Sequence, residues 1–152
     1  MSNSDSVGQL TLDSFGNGRL GVIRGTQLNT AGNAVVTIPL LGGGLTNGGG
    51  LANSGGVIVR RVTVQNPTGS IASANISITT SNDGNISNLV CANVVLSTIS
   101  AVGKFQDLSP ASPATSAPVS GSVTQALYVN INTASGNANT VDICVYGDVV
   151  SF

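Results

Sequence analysis

Histidine, glutamate and tryptophan are absent from this 152-residue chain, and Lys104 is its only lysine. Without His and Glu, the usual general bases and zinc ligands reduce to Asp, Cys and one Lys, so neither a hydrolytic site nor a metal centre is expected. The same gap removes Glu and Lys, which build the solvent faces of helices. Aromatic residues make up 3% of the chain, which leaves a sugar-binding site without its stacking platforms apart from Tyr128 and Tyr146. Charge is scarce. Arg19, Arg24, Arg60, Arg61 and Lys104 stand against Asp5, Asp13, Asp83, Asp107, Asp142 and Asp148, a net of −1. Five dispersed cations make no basic patch, so nucleic acid is excluded as an expected partner. No apolar run approaches the length of a membrane span, and no cationic segment with an apolar core follows Met1, so neither a membrane partner nor a signal peptide is expected.

A thin charge layer has a consequence for assembly. A folded monomer of this mass exposes about 7,000 Å², or about one charge per 600 Å². With a mean hydropathy of +0.32, part of that surface is expected to be covered in a homo-oligomer.

What the chain does contain is Gly, Ser, Thr and Asn, together 69 residues, with abundant Val, Ile and Thr. That composition, with no window repeating at three and four, points to an all-β protein. The clearest period runs from Val123 to Val150. Leu127, Val129 and Ile131 alternate with Tyr128, Asn130 and Asn132; after a polar run, Val141, Ile143 and Val145 alternate with Asp142, Cys144 and Tyr146. Each half reads as a strand with one buried face, and the two read together as a hairpin that needs a second layer to cover it.

Residues 1–18 cannot close a core and are read as an extended N-terminal arm, with Leu10, Leu12 and Phe15 as its apolar anchors on a neighbouring subunit or other partner. Residues 19–152 form the single β-domain. Strands are expected at Arg19 to Arg24 and at Ala34 to Leu40, the second ending against Pro39 as an edge strand would. Gly42 to Gly56 reads as a surface loop. In Val57 to Gln65 the apolar phase slips at Arg60-Arg61, which a β-bulge or two-sided burial would reconcile. Asn66-Pro67-Thr68-Gly69 is a turn, Ile71 to Thr80 a strand, and Ser81 to Asn85 a turn. Ile86 to Leu96, apolar on both faces, suits a central or interface strand. Ile99 to Gln106 is a weaker strand, and the prolines of Asp107 to Gly121 predict a loop. The sum is an antiparallel β-sandwich of jelly-roll type with about eight strands.

Tests for chemistry find little. Gly16-Asn17-Gly18-Arg19-Leu20-Gly21 has dinucleotide spacing without the strand and helix that would make it functional. Ser100 and Lys104 share a strand face at most, and Asp83 sits in a hairpin turn with too few carboxylates for calcium. Cys91 and Cys144 are expected as free, packed thiols. No cofactor or enzymatic activity is expected; the four arginines, Arg19, Arg24, Arg60 and Arg61, are read as interface residues, since each guanidinium has few competitors on so uncharged a surface, and Arg60 and Arg61 are the expected partner contacts among them.

From Val57 onward the chain resembles the capsid decoration, or cement, proteins of tailed bacteriophages. The resemblance lies in the succession Arg60-Arg61-Val62-Thr63-Val64-Gln65-Asn66-Pro67, Thr80-Ser81-Asn82-Asp83-Gly84, Ala101-Val102-Gly103-Lys104-Phe105-Gln106-Asp107 and Val145-Tyr146-Gly147-Asp148-Val149-Val150. It implies a β-rich protein, often a trimer, that is made in the host cytoplasm and binds the major capsid protein on the virion exterior. A head-fibre, tail or baseplate component and a carbohydrate-binding module are the other readings the composition allows.

Overall fold

The computed structural model describes residues 18–40, 55–85, 89–111 and 126–151, apart from the side chains of 55–57 and 149–151. Eight strands make up two antiparallel four-stranded sheets, and the described residues form no helix. The strands are β1 (Gly18–Gln27), β2 (Gly32–Pro39), β3 (Gly55–Gln65), β4 (Asn75–Thr79), β5 (Leu89–Val95), β6 (Gln106–Leu108), β7 (Ala126–Thr133) and β8 (Thr140–Ser151). One sheet has the order β1-β8-β3-β6 and the other β2-β7-β4-β5. The pairing is nested. β1 pairs with β8, β2 with β7, β3 with β6 and β4 with β5, so the chain is one long hairpin bent over on itself between β4 and β5.

The alternation seen in the sequence does its work inside this frame. Val62, Val64, Ile143 and Val145 turn inward from the first sheet; Ile38, Ile76, Ile78, Leu127, Val129 and Ile131 do so from the second, and all join one buried cluster. At about 1.5–3 kcal/mol for each large apolar side chain removed from water, this layer is the main source of stability.

Five expectations need correction. The hairpin from Val123 to Val150 does not form: β7 and β8 lie in different sheets, and residues 134–139 arch between them. Alternation encodes one buried face per strand, and strands facing each other across a core satisfy it as well as strands side by side. The strand expected at Ile99 to Gln106 is instead a turn, in which Gly103 takes φ +81° and Lys104 N–H donates to the Ala101 carbonyl at 3.3 Å. The ladder begins only at Gln106 and takes in Asp107 and Leu108, which had been read as loop. The strand expected from Ile71 starts at Asn75, because Ala74 N–H closes a turn onto the Ile71 carbonyl at 2.9 Å. Finally, β5 is an edge strand rather than a central one. Between the pairs Ile76–Val94 and Ile78–Cys91 two of its residues, Ala92 and Asn93, oppose the single Ser77 of β4. That bulge turns both apolar phases toward the core, burying Cys91 and half-burying Val94, while Val95 stays exposed.

The slip at Arg60-Arg61 is likewise a bulge. Val59 opposes Gly147 and Arg61 opposes Tyr146, leaving Arg60 as the extra residue, so that Val59, Val62 and Val64 all reach the core. Pro39 lies on edge strand β2, a position that tolerates a residue without an N–H. Both open edges of the sandwich are pinned by a single bridge, Gly21 to Leu40 on one side and Cys91 to Pro110 on the other. Such bridging shields edges that would otherwise template pairing with another chain.

Gly147 is the residue on which the β3 bulge rests, since a Cβ there would overlap the Ile58 carbonyl oxygen and meet Leu20 Cδ1 at 3.0 Å. Gly147→Ala is therefore expected to destabilise the fold by about 1–3 kcal/mol, read as a lowered urea midpoint; an unchanged midpoint would show that the bulge can shift at no cost.

Candidate partner-binding surfaces

The outer face of the β1-β8-β3-β6 sheet carries nearly all the charge of the described strands. Outward residues of β8 meet matching positions on both neighbours: Tyr146 lies opposite Arg19 of β1 and Arg61 of β3, and Cys144 opposite Val22 and Thr63. Thr63 in turn opposes Asp107 of β6. Arg61 reaches diagonally to Asp107 in a two-point fork, Nε to Oδ1 at 3.0 Å and Nη2 to Oδ2 at 2.8 Å, and the Thr63 hydroxyl donates to Oδ1 at 2.7 Å. Arg60, displaced by the bulge, donates from Nε to Asp148 Oδ2 at 3.0 Å.

The two expected contact residues thus play different parts. Arg60 and Asp148 are each 51% exposed, whereas Arg61 is 18% exposed beside Asp107 at 41%. Both guanidiniums are engaged within the chain. Arg19 and Arg24, the other two arginines expected at an interface, have no ion-pair partner among the described residues. Sequence alone did not mark Asp107 or Thr63 as part of this face; it marked Tyr146 as outward and as a possible glycan contact, but only the register brings Arg19 and Arg61 to its sides. Leu10, Leu12 and Phe15 lie outside the described residues, as does most of the Gly42 to Gly56 loop.

The remaining carboxylate of this sheet, Asp142, holds irregular backbone. Its Oδ1 accepts from Gly25 N–H at 2.8 Å, where β1 bulges, and its Oδ2 accepts at 2.9 Å from the side-chain amide of Asn66, whose own φ is +50°.

Neither thiol is poised for chemistry. Cys91 is in the core, and burial pushes its pKa from 9.0 up to about 12. Cys144 lies on the opposite sheet, accepts a weak bond from Gln65 Nε2 at 3.6 Å, and is also raised by burial. Burial raises Tyr146 as well. Both cysteines are free, and at neutral pH both are thiols rather than nucleophilic thiolates. Ser100 and Lys104 sit on the exposed 97–105 turn, Gly18 to Gly21 lie in β1 with no helix after them among the described residues, and no cluster there could hold a metal.

The connections at one end of the sandwich, 28–31, 66–74, 96–105 and 134–139, are knitted into a plate. Ser135 N–H donates to Leu28 O at 2.7 Å, Thr68 N–H to Thr140 O at 3.0 Å, and Ile71 N–H to Ile99 O at 3.0 Å. The Asn137 and Asn139 amides both donate to Ser70 O, at 2.9 and 3.0 Å. Gln106 completes the plate, donating to Val95 O at 2.9 Å and accepting from the Thr98 hydroxyl at 2.7 Å. On it stand Val102, 70% exposed, and Phe105, 59% exposed, either side of exposed Lys104.

The strands of the other sheet contain no charged residue at all. At the centre of its outer face Asn130 is buried and fully used: Oδ1 accepts from Ala34 N–H at 2.8 Å, and the amide donates to Thr79 at 3.1 Å and Ser77 at 3.5 Å. The turn after β4 is tied to the β2 bulge beside it, where Asn33 donates to Asp83 O at 3.2 Å and packs on Gly84. The Asp83 carboxylate accepts from Ser81 Oγ and from Asn85 N–H, and these bonds hold its pKa below the ordinary carboxylate value.

No family model matches this chain, and no curated protein matches it in sequence.

Two outcomes are expected. Asp107→Ala strips the fork from Arg61 and the acceptor from Thr63, and should lower stability by about 1 kcal/mol; Asp148→Ala removes only a solvated pair and should cost a few tenths or less. Equal losses in parallel urea titrations would contradict this. Because Cys91 holds its proton more tightly when folded, its contribution is complete below pH 9 and declines as pH rises from there toward 12, by about 1.4 kcal/mol per pH unit. Urea midpoints should fall above pH 9, and Cys91→Ala should flatten that fall; an identical slope in the variant would assign it to other groups.

Proposed function

We propose that this chain is a structural protein of a tailed-bacteriophage particle, a decoration or cement protein that binds the outer surface of the major capsid protein as a homotrimer. The nested strand order carries this reading. Pairing first with last, second with seventh, third with sixth and fourth with fifth is the nesting expected of a jelly roll and supports that reading of the sandwich, an architecture common to viral coat domains and lectins. Within that pair of options the aromatic residues favour the coat. Tyr146 is 8% exposed on one sheet and Tyr128 is half-buried on the other, so they form no shared sugar platform. The knitted loop plate and the small number of charged groups, most of them engaged within the chain, also suit a protein whose task is to present fixed surfaces to neighbours. A head-fibre, tail or baseplate position would use the same features at a different place in the particle.

Cryo-EM of particles carrying the protein is the test. Density for a β-sandwich at symmetric positions on the capsid exterior is expected, and removing residues 2–18 should lower its occupancy while the far-UV β signal persists. Density confined to the tail would move the assignment to the alternative, and a protein that never co-sediments with particles would refute both.

A further inference from the structure

Two patches of this chain complement one another. At one end of the sandwich, the rigid 97–105 turn displays Val102 and Phe105, 70% and 59% exposed, around Lys104. The turn is held at Thr98, whose N–H and hydroxyl both donate to Gln106 Oε1, at 3.1 and 2.7 Å, so little freedom is left to lose on docking. On the outer face of the uncharged sheet, Val35 is 38% exposed two residues from Asn33, which is bonded to Asp83. Among the described residues neither Lys104 nor Asp83 has an ion-pair partner. One patch is apolar with a cation, the other apolar with an anion.

We propose that the Val102–Lys104–Phe105 turn of one copy docks on the Val35–Asp83 face of the next, with the Lys104 ammonium against the Asp83 carboxylate. An isologous dimer would form this pair twice, each Lys104 against the other copy's Asp83. The homotrimer proposed above instead requires the contact to be heterologous, each copy giving its turn to one neighbour and its Val35–Asp83 face to the other, so that three contacts close a ring. The inference deepens the homo-oligomeric part of the proposed function and rests on it, yet its test needs no particle.

Sedimentation velocity of the full chain at micromolar concentration should show an oligomer. Lys104→Asp and Asp83→Asn should each weaken association at least about tenfold, a 1.4 kcal/mol change. Asn at 83 can still accept from Asn85 N–H, so the turn is kept. The exchange Asp83→Lys with Lys104→Asp should restore association to within about threefold of wild type, corresponding to an RT ln 3 difference. If that pair melts early, Val35→Lys with Lys104→Asp places the cation on the same face without altering the turn. A monomeric wild-type protein would overturn self-association altogether. An oligomer indifferent to the single changes, or one not restored by either exchange, would overturn this contact while leaving oligomerisation and particle binding standing.

Discussion

Two sheets with one apolar face each must cover one another, and the rest of this structure follows from that constraint. β8 and β7 sit inside their sheets, each with a neighbour on both sides, and their inward Val, Ile and Leu residues are close to fully buried. Edge strands then need protection. Here the Gly21–Leu40 and Cys91–Pro110 bridges supply it, with Arg19, Arg24 and Asp107 on edges β1 and β6 and Pro39 on uncharged edge β2. Closing the sandwich at β1 and β2 demands a glycine, since a Cβ at Gly21 would collide with the Pro39 carbonyl oxygen.

With so few ionisable groups, each described carboxylate anchors backbone or a single cation. Asp107 ties β3 to β6, Asp142 supports the β1 bulge and the start of the 66–74 connection, and Asp83 closes its own turn. Asn takes over where charge is missing, as at Asn130, Asn137 and Asn139. A neutral amide both donates and accepts, so it can satisfy a bulged strand or a crossing loop without the desolvation cost that a buried charge carries.

The same economy shapes the surface. Arginines and their carboxylates gather on one sheet, and the other presents strands of Asn, Ser, Thr and apolar residues alone. A protein arranged in this way offers neighbours two chemically distinct faces and one firm end. These features motivate the decoration-protein reading and the proposed contact between copies alike.

Much of the fold was legible in the residues themselves. Alternation identified the buried faces of β3, β7 and β8, the phase slip marked the Arg60 bulge, and Asn66-Pro67 and Asp83-Gly84 marked turns, because each depends on local backbone chemistry or on a period of two. Partner choice between strands was not legible. Val129 and Val145 face a core whether their strands are side by side or opposite, and only the packed structure decided on opposite sheets. β5 looked central because a bulge had folded two apolar phases into one face, an effect that needs β4 to exist. The candidate surfaces divide in the same way. Arg60 and Arg61 could be named from their rarity, but Asp148 and Asp107 as their counter-ions, Arg19 beside Tyr146, and Val35 near Asp83 come together only through register between residues far apart in the chain, which no local pattern records.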